Sequence, residues 1–137
     1  MVVPKDELSL VIREWYYAAS EGQVEAFLNF FLKDSNTIYF GTDPHELWYG
    51  FDQIKENIEE NFRMYGKWTV MSKNLQVHRA GDCAVFTDEV ELSARYGGSS
   101  IAEDARMSGV LMLKDGQWKI VQVHFSIGIP NQDLLPG

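Results

Sequence analysis

Arg106-Met-Ser-Gly-Val-Leu-Met-Leu113, Lys114-Asp-Gly116 and Gln117-Trp-Lys-Ile-Val-Gln-Val-His-Phe-Ser126 follow one another without a break. Two runs of β-forming residues flank an Asp-Gly pair, which is the pattern of a β-hairpin. Two registers fit it. A two-residue turn at Asp115-Gly116 pairs Leu113 with Trp118 and puts Arg106 on the face of Val123 and Phe125. A three-residue loop, with Gly116 left-handed in a bulge, pairs Leu113 with Gln117. This second register gathers Ala105, Met107, Gly109 and Leu111 with Val121, Val123, Phe125 and Ile127 on one apolar face. It leaves Arg106, Ser108, Val110 and Met112 with Trp118, Ile120, Gln122, His124 and Ser126 on the other. The segregation favours it, because a slip of one residue destroys that separation. The apolar face is expected to meet helices. The mixed face is too apolar for free solvent. A second copy of the chain is the expected cover, with Arg106, Ser108, Gln122, His124 and Ser126 in the contact.

Upstream of the hairpin, helices come first. Leu8, Val11, Ile12, Trp15 and Ala19 fall on one helical face over Pro4–Ser20, with Pro4 suited to a first turn. Val24, Phe27, Leu28 and Phe31 mark a second helix over 24–32. Thr37–Phe40 reads as a short strand and Gly41–Glu46 as a loop, since Pro44 disfavours helix at Asp43. Phe51, Ile54, Ile58, Phe62 and Tyr65 stripe a third helix, whose Lys55, Glu56, Glu59 and Glu60 make a solvated outer face. Four β segments follow, at about 68–78, 83–95, 102–113 and 117–127. Short turns join them, which predicts an antiparallel meander. The order αα-β-α-ββββ is α+β, and three helices are too few to cover both faces of such a sheet.

The chain has 137 residues, 45% apolar and 23% charged, which predicts one globular domain over 1–137. A net charge of −8 and the lack of any basic stripe argue against nucleic acid and anionic membrane as partners. Cys83 is the sole cysteine, so no internal disulfide forms; within an apolar strand it reads as a reduced, buried, inert thiol. The N-terminus has no secretory pattern, and no run approaches the roughly 18 apolar residues of a membrane helix. The expected location is cytoplasmic.

Tyr16-Tyr-Ala-Ala-Ser-Glu-Gly22, Gly41-Thr-Asp-Pro-His-Glu-Leu-Trp-Tyr-Gly50 and Asp115-Gly-Gln-Trp118 with His124-Phe-Ser126 lie in a fixed order along the chain. In these motifs the sequence resembles the SnoaL-like branch of the nuclear transport factor 2-like superfamily. The closing element also resembles the association domain of calmodulin-dependent kinases. The resemblance implies a cone-shaped, cystatin-like α+β roll, with a curved antiparallel sheet wrapped around helices and a cavity between them. The superfamily spans isomerases, cyclases, dehydratases, transport adaptors and association modules, so the fold implies a cavity rather than a reaction.

Steroid-isomerase-like chemistry needs a carboxylate base and opposing oxyanion donors. The resemblance puts Asp43 at the base position, where the alternative is a turn residue before Pro44. Trp15 stands at the oxyanion tyrosine's place with Tyr16 beside it, and no carboxylate lies near Ser108 for the second donor. His45 and Glu46 share the Asp43 loop and form a His–carboxylate pair suited to acid–base work, or are simply solvated. On the strand 83–92, Asp88 and Glu89 point to opposite faces, and alignment with the kinase association domain favours Glu89 for the cavity. Gly109 and Phe125 replace the arginines of that relative. The candidate catalytic groups are thus Asp43, His45, Glu89 and Tyr16. The candidate ligand-binding groups are Trp15, Tyr39, Phe40, Trp48, Phe62, Tyr65, Met107, Val123 and Phe125. His45, His78 and His124 show no metal-ligand spacing, and no cofactor motif is present, so neither metal nor cofactor is expected. Three readings stay open: a homodimeric domain binding a small apolar or aromatic molecule, a cofactor-free isomerase, cyclase or dehydratase, and a pure association module.

Overall fold

The computed structural model describes residues 5–135, and side chains from Glu7 onward, so the reading of Pro4 lies outside the described residues. Helix α1 spans Lys5–Ser20 and buries Leu8, Ile12, Trp15 and Ala19, with Val11 half-buried beside them. It stops at Gly22, whose φ of 67° is a conformation that side chains disfavour. Helix α2 covers only Val24–Asn29, three residues short of the expected 24–32. The reason is tertiary. Phe30 and Leu32 exchange backbone hydrogen bonds with Ile120, at 2.8 and 2.9 Å, so the chain leaves the helix to meet the sheet. Helix α3 spans Phe51–Tyr65, with Ile54 and Ile58 buried and Phe51, Phe62 and Tyr65 half-buried.

Strands β1 (Ile38–Phe40) and β2 (Leu47–Tyr49) form a small hairpin around the 41–46 loop. The single strand expected at 68–78 is two, β3 (Thr69–Ser72) and β4 (Gln76–Ala80), and both pair antiparallel with β5 (Cys83–Tyr96). Between them the backbone N–H of Asn74 turns to donate to the buried Asp88 carboxylate at 2.9 Å, which interrupts the ladder. Strands β6 (Ser99–Lys114) and β7 (Gln117–Ser126) complete a sheet of order β2-β1-β7-β6-β5-β3, with β4 also on β5. The meander itself is antiparallel throughout, while the sheet as a whole is mixed, because β1 runs parallel to β7. The fold is an α+β cone with helices on one side of a curved, unclosed sheet.

The hairpin uses neither register along its full length. Asp115 (φ 50°) and Gly116 (φ 78°) make a two-residue turn, so Leu113 pairs with Trp118 and not with Gln117. Between Leu111↔Ile120 and Val110↔Gln122 the register shifts, and Val121 is the extra residue of a bulge. Beyond it Gly109 pairs with Val123 and Met107 with Phe125. The expected apolar face therefore holds for Ala105, Met107, Gly109, Leu111, Val123 and Phe125. Trp118 and Ile120, expected outside, are buried, and Val121 is only half-buried. The bulge lets both halves of β7 face the helices while the strand bends around them. Cys83 is half-buried at the start of β5, not enclosed. A single 3₁₀ turn, Asn131–Leu134, is exposed in the tail.

Candidate functional site

Alternation along β5 and β6 sends Asp88, Val90 and Leu92 inward, opposite Met107, Ala105 and Glu103. The helices cover this concave face incompletely. A cavity of about 90 Å³, measured as room for the centre of a water-sized sphere, remains between α1, α3 and the sheet. That is several times the roughly 10–15 Å³ one water needs. Its walls include Trp15, Tyr16, Tyr39, Phe62, Trp68 and Phe125, and its polar lining is Thr42, Glu46, Asn61 and Glu103.

Each polar group has a definable state. Tyr16 donates its hydroxyl to Asp88 Oδ2 at 2.9 Å, and burial followed by the Asp88 charge pushes the phenol well above its ordinary pKa. Thr42 donates to Glu103 Oε1 at 2.9 Å. Glu46 Oε1 accepts the backbone N–H of Asp43 at 2.8 Å. Burial pushes the Glu46 carboxyl above the usual range. The charges of Asp43 and Glu103 add to that rise, while the Asp43 N–H and the Asn61 side chain oppose it. Tyr39 is pushed up by burial and then by the Glu46 charge. Gly41 permits the Glu46 position, since a β-carbon there would lie 2.6 Å from Glu46 Oε1.

The sequence candidates divide accordingly. Trp15, Tyr16, Tyr39, Phe62 and Phe125 line the cavity. Trp48 lies behind it, stacked on Tyr39 with ring centroids 4.9 Å apart. Met107 and Val123 are buried in the core. Phe40 packs on Tyr49 and His124, and Tyr65 packs on Trp68 and Tyr96. Asp43 and His45 are exposed; Asp43 Oδ1 accepts the His45 backbone N–H at 2.8 Å, as a turn residue does. Glu89 points to the outer face, because its neighbour Asp88 takes the inward position. There Glu89 joins Asn74, Thr87, Arg106, Ser108, His124 and Ser126 around an open groove. Arg106 Nε donates to Ser126 Oγ at 3.2 Å, and Gln122 is exposed on the same face.

Glu103 and Asn61 escape the sequence reading. Glu103 carries a signal all the same, since it lies two residues before Ala105 and four before Met107 on the same alternating face. Asn61 follows Ile58 by three on the α3 stripe.

The sequence matches the SnoaL-like domain family over residues 9–130. The chain belongs to that family. A search among curated proteins finds no match. Several solved structures share the SnoaL-like chain's fold. A nuclear transport factor 2-like superfamily protein from Salmonella enterica is 22% identical, with a TM-score of 0.82 and 91% of each chain covered. A protein of the same superfamily from Streptomyces avermitilis, provisionally named a dehydratase, is 13% identical with a TM-score of 0.82, covering 90% of this chain and 96% of its own. A provisionally named scytalone dehydratase from Novosphingobium aromaticivorans is 14% identical with a TM-score of 0.78, covering 89% and 82%. At these identities the likeness is one of fold.

Proposed function

We propose that this SnoaL-like domain binds a small molecule with an apolar or aromatic body in the cavity, and that it works as a homodimer joined through the outer sheet face. The aromatic wall of Trp15, Tyr39, Phe62, Trp68 and Phe125 around a few polar groups carries the first part. The second part is supported by the exposed Val85 and Met112 on the outer face, beside Arg106, Ser108, Gln122, His124 and Ser126. Native mass spectrometry of the gently purified chain tests both. A dimer mass carrying a small retained ligand is the expected result. A bare monomer at micromolar concentration overturns the reading, and a bare dimer leaves only the association module.

One observation favours a second reading, that of a cofactor-free isomerase, cyclase or dehydratase. Glu46 is a half-buried carboxylate at the cavity whose pKa burial raises above the ordinary glutamate value. In this reading it takes a proton from a carbon next to a carbonyl and returns it elsewhere on the same molecule. Tyr39 and Trp15 supply the donors to the carbonyl oxygen, because the Tyr16 proton is held by Asp88. Solvent-deuterium incorporation into phenylacetone, used as a carbon-acid probe, tests it. Catalysed exchange lost in Glu46→Gln is expected, and exchange at the buffer rate overturns it.

A further inference from the structure

Two uncharged donors face the cavity, the Tyr39 hydroxyl and Trp15 Nε1, which is buried without a hydrogen-bond partner among the described residues; the other polar groups there are mostly acceptors, and the only charges are negative. Thr42 gives its proton to Glu103 and Tyr16 gives its proton to Asp88, so both hydroxyls present only lone pairs to an occupant. Glu46 and Glu103 are acceptors when ionised, and the Asn61 side chain favours the charged form of Glu46. No lysine, arginine or histidine lines the cavity among the described residues. A carboxylate or phosphate entering it meets two carboxylates with no cation to offset them.

The walls agree with this. Trp15, Tyr39, Phe62, Trp68 and Phe125 bring aromatic faces whose negative quadrupoles attract a cation. The Glu46 and Glu103 charges act on one another, and a positive group placed beside both relieves that repulsion. The excess of acidic residues over the whole chain, net −8, draws cations toward the surface.

Resting on the small-molecule reading above, we infer that the occupant is a small organic cation, a protonated primary amine on an aromatic or apolar body, with its ammonium against Glu46 and Glu103 and its body against the aromatic wall. Isothermal titration of the full chain at neutral pH with 2-phenylethylamine, 2-phenylethanol and phenylacetate tests this with near-isosteric probes. The amine is expected to bind at least about tenfold more tightly than the alcohol, and the acid most weakly of the three. Glu46→Gln and Glu103→Gln are each expected to cut the amine's margin over the alcohol severalfold. An alcohol or acid that equals the amine overturns the inference and leaves the small-molecule reading standing, as does a margin that survives both substitutions. Silence from all three probes also overturns it, and the retained mass in the native spectrum then judges the parent reading by itself.

Discussion

Tyr16 in α1 and Asp88 in β5, seventy-two residues apart in sequence, are joined by a 2.9 Å hydrogen bond beneath the cavity. The other Asp88 oxygen accepts the Asn74 backbone N–H at 2.9 Å, so a carboxylate only 3% exposed has both oxygens satisfied. One side chain thus ties the first helix to the sheet and shapes the break between β3 and β4. It also decides that Tyr16 meets an occupant as an acceptor.

Removing this carboxylate strands two donors. Asp88→Ala is expected to cost roughly 2–4 kcal/mol, about 1–3 from the buried Tyr16 hydroxyl and about 1 from the part-buried Asn74 N–H. Tyr16→Phe strands one oxygen and is expected to cost about 1–3 kcal/mol. Urea unfolding measures both. Losses under about 0.5 kcal/mol in each variant contradict the assignment.

Gly41 and Glu46 make a second coupled pair. A β-carbon at position 41 would sit 2.6–2.9 Å from three atoms of the Glu46 side chain. Gly41→Ala is expected to push that side chain out of the cavity at a cost of about 1–3 kcal/mol. The carboxyl pKa, read by NMR titration, should fall back toward the ordinary glutamate range. A raised pKa retained in the variant counts against this geometry.

Gly109 faces Phe86 across the β5–β6 ladder, and a β-carbon there would lie 2.5 Å from two atoms of the Phe86 ring and from the Gln122 carbonyl oxygen. Gly109→Ala is expected to destabilise by about 1–3 kcal/mol through overpacking. Adding Phe86→Leu should recover part of the loss, because it removes ring atoms from the clash. The thermal midpoints of the single and double variants check this; a neutral single variant refutes it.

The pH dependence has a definite sign. The folded Glu46 pKa lies above the unfolded value, so the native state holds its proton more tightly. The stability it contributes is complete below the unfolded pKa of about 4.3 and is lost as pH rises through the folded pKa. Glu46→Gln is therefore expected to be slightly more stable than wild type at pH 7, by less than about 1 kcal/mol because the side chain is half exposed. The difference should shrink toward pH 4. A variant less stable at pH 7 reverses the sign and rejects this account.

Periodicity made α1 and α3 readable, because Leu8, Ile12 and Trp15, and likewise Ile54 and Ile58, repeat over several turns. Three residues of β2 are too few to show a period, and the end of α2 depends on hydrogen bonds to Ile120 that no local pattern announces. In β7 the alternation is real on each side of Val121, yet no single register accommodates both halves. The aromatic wall was half legible: Trp15, Tyr39, Phe62 and Phe125 line the cavity, whereas Phe40 and Tyr65 fall on other surfaces. The carboxylates were harder to read. Loop geometry around Gly41 brings Glu46 in and leaves Asp43 and His45 exposed, and a single alternation step separates Asp88 from Glu89.

The attachment of Phe30–Leu32 and β1 to β7 has a consequence for biogenesis. Strand β7 supplies the backbone partners of segments made some eighty to ninety residues earlier. On the ribosome β1 can pair with β2, but its other edge and the Phe30–Leu32 segment lack their backbone partners until β7 emerges. Maturation is then a late, concerted event with slow non-local closure. A nascent chain stalled before Gln117 should remain open to protease over about residues 30–40, the stretch whose partners lie on β7.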